Sequence, residues 1–333
     1  MPIARRPGVR WGWSVTDDSP AVRVRGLVKS YGSVQAVRGI DLDIHHGEIF
    51  ALLGPNGAGK TTTVEVLEGY RRRDGGEVGV FGFDPGRERV KILPRIGIVL
   101  QKTGVERYLT VSETITMYAG YYPRPRSPAE VIDLVGLAGK RNSRVTTLSG
   151  GQLRRLDMAV ALVGDPDLLF LDEPTTGFDP TARRDAWDMI KNLASLGKTV
   201  LLTTHYMDEA QHLADQVAVI SAGRIVAEGP PATLADRNLA LARIRYRLPA
   251  AAAPPDSLRG VPDGADFTVL TSADLVRDLH RLTGWALENG MTLDGLEVRR
   301  PSLEDVYLSL TGTGSAETPA TGTRATETRR AEA

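Results

Sequence analysis

Residues 54–61 read Gly-Pro-Asn-Gly-Ala-Gly-Lys-Thr, a match to G-x-x-x-x-G-K-[ST] that constrains this chain more than any other stretch. The apolar run Glu48–Leu53 before it reads as a strand, and Thr61–Leu67 after it reads as a helix. Gly54, Gly57 and Gly59, interleaved with Pro55, Asn56 and Ala58, let backbone N–H groups converge on phosphate oxygens without Cβ interference. The helix N-terminus adds partial positive charge there. Lys60 is expected to reach the outer phosphates, Thr61 to offer its hydroxyl to Mg²⁺, and Thr62 to complete the cradle.

The second informative run is Leu168-Leu169-Phe170-Leu171-Asp172-Glu173. An apolar strand here would deliver Asp172 to the C-terminal edge of a sheet, where its carboxylate can hold Mg²⁺. Glu173 next to it is placed to polarise a water for in-line attack. Adjacent carboxylates at a strand end are common by themselves; the phosphate loop makes this pair functional. The third run is Leu148-Ser149-Gly150-Gly151-Gln152, with Ser149 a natural N-cap. The helix it opens carries apolar positions 153, 156, 160 and 163 on one face. Two exposed glycines at a helix N-terminus also make a second anion site.

These three runs, in the chain order phosphate loop, Leu148–Gln152, Leu168–Glu173, resemble an ATP-binding-cassette (ABC) ATPase over roughly residues 21–237. The resemblance implies an α/β P-loop NTPase core with an N-terminal antiparallel β subdomain and a helical subdomain at about 102–163. It implies ATP and Mg²⁺ as ligands. Gln101 resembles the glutamine that touches Mg²⁺ and reports to a membrane subunit, and Tyr31 the aromatic that stacks on adenine. His205 resembles the histidine at the γ-phosphate, and Asp179 the aspartate of the D-loop, although Phe178 replaces the commoner Leu. The family pattern also implies a head-to-tail homodimer, in which Ser149 and Gly151 of one copy complete the ATP site of the other. Catalysis then falls to Glu173, His205, Gln101 and Lys60, and metal binding to Thr61, Gln101 and Asp172.

Local signals elsewhere agree with an alternating α/β chain. Ala21–Tyr31 and Gln35–Ile44 alternate as strands do, whereas Asp167–Glu173 and Lys198–Thr204 are apolar nearly throughout, as in a parallel sheet covered on both faces. Thr110-Val111-Ser112-Glu113 is a capping box for a helix ending near Pro123, and Ser127-Pro128-Ala129-Glu130 reads as another. Asp179-Pro180 caps a helix running to about Ser195, and Val217–Ser221 with Arg224–Glu228 forms a hairpin turning at Ala222-Gly223.

A second composition regime begins near residue 238. Strands are expected at Ala242–Leu248, Phe267–Thr271 and Gly295–Arg299, and helices at Ala273–Glu288 and Ser302–Leu310. Residues 238–310 would thus form a small α+β unit with a thin core. Residues 1–20 read as a loose extension, and the Thr/Ala/Glu/Arg tract 311–333 as a disordered tail.

Composition narrows the surroundings. The 333 residues carry 41 Lys plus Arg against 41 Asp plus Glu, and no basic stripe points to nucleic acid. With no Cys there is no thiolate metal site, Cys nucleophile or disulfide. No apolar run approaches the roughly 18 residues of a membrane span. Arg5 and Arg6 invite a twin-arginine reading, but no apolar stretch follows them. A cytoplasmic chain, peripheral on the inner membrane face, is expected.

Within the family, Gly164-Asp165-Pro166 through Asp179-Pro180 and the ending Arg300-Pro301-Ser302-Leu303-Glu304-Asp305-Val306-Tyr307-Leu308 resemble exporter ATPases of the daunorubicin-resistance type. That resemblance implies a separate permease subunit of the ABC-2 export type and efflux of a small molecule such as a drug or antibiotic. An importer ATPase shares every core motif and stays open as an alternative. So does a soluble ABC protein outside transport, although neither tandem cassettes nor a long coiled coil is present.

Overall fold

The computed structural model describes residues 19–101, 104–237, 242–248, 254–255, 258–263 and 267–299. The expected extension up to residue 18, the helix at 302–310 and the tail from 311 lie outside them.

The chain opens with an antiparallel pair, β1 (Val22–Tyr31) and β2 (Val34–Ile44), followed by β3 (Ile49–Leu53), α1 (Lys60–Leu67) and β4 (Gly75–Val80). A single turn, α2 (Arg89–Ile92), precedes β5 (Ile96–Val99). Three helices follow: α3 (Val111–Ala119), α4 (Pro128–Leu134) and α5 (Gly150–Leu162). Then β6 (Leu168–Asp172), α6 (Pro180–Ser195), β7 (Thr199–Thr204), α7 (Met207–Leu213) and β8 (Gln216–Ser221) alternate. The hairpin closes with β9 (Arg224–Gly229), and α8 (Pro231–Arg237) follows. A separate sheet contains β10 (Ala242–Arg247), β11 (Val261–Asp263), β12 (Phe267–Ser272) and β13 (Asp294–Arg299), with α9 (Leu275–Glu288) between the last two.

The main sheet has the order β5-β6-β7-β3-β8-β9, parallel except for β9. Its strands are apolar on both faces because both are covered. Along β3, Ile49, Ala51 and Leu53 join the core shared with α3, α4, α5 and α6. Phe50 and Leu52 join the core shared with β1, β2 and β4. The smaller sheet, ordered β11-β12-β10-β13, buries Ile244, Tyr246 and Leu270 with Leu282 of α9. Few large side chains make up its core.

Several local readings change. β4 and β11 were not anticipated, because Gly75-Gly76 and Pro262 mask their strand character. The Thr110–Glu113 capping box forms, with reciprocal bonds of 3.2 and 2.8 Å. Ser127 makes no side-chain cap bond, so α4 starts on Pro128 alone. In α5, burial is wider than the expected 153/156/160/163 stripe: Leu156, Met158, Ala159, Ala161 and Leu162 are buried, while Leu153 and Val160 are half-buried. The helix is wedged against both β5 and the neighbouring helices α3 and α4, so more than one face loses water.

Candidate functional site

The main sheet places the site. β3 lies between β7 and β8, and β6 lies one strand beyond β7, so the C-terminal ends of β3, β7 and β6 are neighbours. The register aligns Leu53 with Thr204 and Asp172 with Thr203. In a parallel sheet this edge is where ligands bind, because loops splay apart there.

The phosphate loop leaves β3 at this edge and enters α1 one residue earlier than expected, at Lys60. Gly59 has φ 109°, and a Cβ there would stand 2.5 Å from the Ala36 carbonyl oxygen of β2. The antiparallel subdomain thus closes directly onto the loop, and only glycine fits. Lys60 is buried, and its Nζ donates to the carbonyls of Gly54 at 2.7 Å and Pro55 at 3.2 Å. Burial lowers its pKa, with Glu173 and Asp172 opposing that shift. Asn56, Gly57 and Thr61 are exposed at the mouth of the loop, and Ala58 is packed beneath it. Thr62 is half-buried.

Glu173 follows β6 in a left-handed conformation, φ 46°. Its Oε2 accepts from Gln101 Nε2 at 3.1 Å and from Thr176 Oγ1 at 3.2 Å. Its Oε1 is 3.2 Å from His205 Nδ1 and 3.9 Å from Lys60 Nζ. Three of the four expected catalytic residues, Gln101, His205 and Lys60, therefore surround the carboxylate of the fourth. Asp172 beside it accepts from Thr203 Oγ1, which fixes one oxygen and leaves the other lone pairs for a cation.

The remaining expected residues lie elsewhere on the molecule. Tyr31 ends β1, 41% exposed, with the Arg71 guanidinium 5.2 Å and the Lys29 ammonium 5.6 Å from its ring centroid. Ser149 caps α5 through reciprocal bonds with Gln152. Ser149, Gly151 and Gln152 line a cavity of about 300 Å³ with Phe178, Ala182 and Met189, and none of residues 54–62 borders it. Gly150, at the first turn of α5, is exposed. Asp179 caps α6, its Oδ1 accepting from the N–H groups of Thr181 and Ala182 at 2.9 Å.

The donor set tests what this edge can hold. Among the described residues no three His, Cys, Asp or Glu side chains cluster as a metal cage. One hydroxyl, one carboxylate and one amide, Thr61, Asp172 and Gln101, suit a Mg²⁺ that takes its other ligands from phosphate and water. The glycine loop and the buried Lys60 fit the phosphates themselves.

Comparison with known proteins agrees with this geometry. Residues 37–176 match the family model described as ABC transporter. Residues 242–302 match one for the C-terminal domain of ABC transporter domain-containing proteins. The daunorubicin/doxorubicin resistance ATP-binding protein DrrA of Streptomyces peucetius is 40% identical, covering 89% of this chain and 94% of its own. This chain belongs to the ABC transporter ATP-binding family. The Nod factor export ATP-binding protein I of Burkholderia orbicola is 38% identical to this ABC ATPase, over 86% of the chain and 96% of the relative. Among solved structures, cbiO1 from Clostridium perfringens, part of the cbiONQ transporter complex, superposes with TM-score 0.61 at 27% identity, covering 66% of this chain and 92% of that one. A dimeric ATP-binding cassette bound to ADP and Pi superposes with TM-score 0.58 at 25% identity, over 63% and 98%.

Three contributors to the site of this ABC ATPase escape a reading of the sequence. Thr203, which orients Asp172, is invisible until the register pairs them; the only hint is two threonines ending an apolar strand. Arg154 sends its guanidinium to main-chain carbonyls around Glu173. Fully buried Glu209 accepts through Oε1 from Thr175 Oγ1 at 2.8 Å and Trp187 Nε1 at 3.2 Å, bracing the turn after Glu173.

Proposed function

We propose that this chain is the ATP-hydrolysing subunit of an exporter that moves a small molecule, such as a drug, through a separate permease of the ABC-2 type. The observation that carries the hydrolytic part is the convergence of Lys60, Gln101, His205 and Glu173 beside the phosphate loop. The export part rests on relatives named for drug resistance and Nod factor export.

In this reading, residues 21–237 are the ATP-binding unit, with a helical insertion at about 102–163, and 238–310 an accessory unit. Gly54–Thr62 wrap the phosphates, Lys60 neutralises the outer ones, and Tyr31 stacks on adenine. Mg²⁺ held by Thr61, Asp172 and Gln101 would offset charge on the β- and γ-phosphate oxygens. Glu173 orients and deprotonates the attacking water, while Gln101 and Thr176 fix one of its oxygens. His205, beside the other oxygen, would face the γ-phosphate.

The cavity at the α5 N-terminus is bordered by no residue of the chain's own phosphate loop, which fits head-to-tail pairing of two copies. Ser149, Gly150, Gly151 and Gln152 of one copy would then present N–H donors and helix dipole to the nucleotide of the other, beside Asp179. The permease would recruit the dimer to the cytoplasmic face of the membrane.

The test is Glu173→Gln. Turnover should fall by roughly 10²–10⁴-fold while MgATP still binds and holds the dimer closed. Wild-type hydrolysis in this variant would remove Glu173 from the base role.

A further inference from the structure

Arg154 sits in α5, the helix capped by Ser149, and its side chain reaches the C-terminal ends of β5 and β6. Nη2 donates to the carbonyls of Asp172 at 2.9 Å and Glu173 at 3.3 Å, and Nε donates to that of Pro174 at 3.1 Å. Nη1 donates to the carbonyl of Leu100. The side chain is 11% exposed, with Asp157 Oδ2 3.9 Å away on the next turn. A guanidinium is the one side chain with enough coplanar donors to serve four carbonyls at once.

Two of those carbonyls flank the residue that most needs holding. Glu173 has φ 46°, a left-handed backbone that costs a non-glycine residue on the order of 1–3 kcal/mol and persists only where surroundings enforce it. Nη2 grips the carbonyl on each side of that Cα, so rotation of either peptide unit would break a bond. The fourth carbonyl, of Leu100, belongs to the peptide unit that leads into Gln101. Gln101 in turn donates to Glu173 Oε2. One guanidinium thus fixes the main chain beneath both partners of the Gln101–Glu173 bond.

We infer that Arg154 is a positioning residue for hydrolysis: it holds the main chain of Glu173 and Gln101 so that their side chains meet at the water to be activated, and it ties that geometry to the helix bearing Ser149. The inference rests on the reading of Glu173 as the base. A merely structural arginine would support folding and leave turnover by the folded enzyme unchanged.

The experiment uses the full chain with Arg154→Gln and Arg154→Lys, each alone and combined with Glu173→Gln. Steady-state hydrolysis and MgATP-induced thermal shift are measured well below each melting temperature. Displacing a catalytic group by about 1 Å can cost about 100-fold. Arg154→Gln should therefore lower kcat by roughly 10–100-fold with the nucleotide-induced shift retained. Arg154→Lys, a point charge without the fork, should lose most of the same activity. In the Glu173→Gln background neither change should reduce residual hydrolysis further, since groups acting as one unit are not additive. Wild-type kcat in folded Arg154→Gln, or an equal fold loss in both backgrounds, overturns the positioning role. If Arg154→Gln does not accumulate, Arg154→Lys decides by the same criteria. Undiminished turnover in Glu173→Gln alone overturns the base assignment instead, a result that can be told from either of the others.

Discussion

The ammonium of Lys60 and the carboxylate of Glu173 stand 3.9 Å apart, one from the phosphate loop and one from the end of β6. Both are largely buried, so the opposite charges offset part of each other's lost hydration. Lys60 also holds the loop through the Gly54 and Pro55 carbonyls. The side chain thus serves the loop and the carboxylate together.

Lys60→Ala should abolish nucleotide binding before it affects chemistry, because the charge facing the phosphates is gone. Ligand binding to the native state raises stability, by about 2.7 kcal/mol at a hundredfold excess over Kd. In Lys60→Ala the melting temperature should not respond to MgATP. A normal thermal shift would contradict the phosphate-loop assignment.

Glu68, at the C-terminal end of α1, is buried, and burial first, then Asp172 and Glu65, raises its pKa to about 8, with Arg89 opposing. An acid whose folded pKa is raised binds more protons folded than unfolded between its ordinary 4.5 and about 8. Its contribution to stability is full below pH 4.5 and is lost as pH rises through about 8. Glu68→Gln should flatten that slope and raise the melting temperature at pH 8–9 more than at pH 5. Parallel curves for the two proteins across this window would show that Glu68 ionises freely.

Gly59→Ala should destabilise by about 2 kcal/mol, from the left-handed φ, and by more if the Ala36 carbonyl cannot yield to the new Cβ. Urea unfolding should show a lower midpoint with an unchanged slope. An unaltered midpoint would mean that β2 does not press on the loop.

Glu106 is exposed in the segment that links Gln101, which resembles the glutamine that reports to a membrane subunit, to α3. Glu106→Lys should reduce the membrane-bound fraction in cells co-expressing the permease and leave basal hydrolysis within about twofold, since surface substitutions away from a site change stability by only about 0.5 kcal/mol. Equal membrane fractions for both proteins would place the contact elsewhere.

Much of the site was legible in the chain because its chemistry is carried by contiguous runs. Gly54–Thr61, Asp172-Glu173 and Ser149–Gln152 each declare a local geometry, and the caps at Thr110, Ser149 and Asp179 form as their residue types require. Such features depend on neighbours in sequence, so no knowledge of the fold is needed to read them. What the tertiary structure decided is everything set by register. Asp172 and Thr203 meet only because β6 pairs with β7, and Gln101 meets Glu173 across a separation of 72 residues only because β5 lies beside β6. Nothing in the run around Arg154 marks it for the site; the packing of α5 on β5 brings its guanidinium to the carbonyls around Glu173. Hydrogen bonds to main-chain carbonyls leave no trace in residue identity, because every residue offers the same acceptor. The sequence therefore determined which groups do chemistry, and packing determined which groups hold them in place.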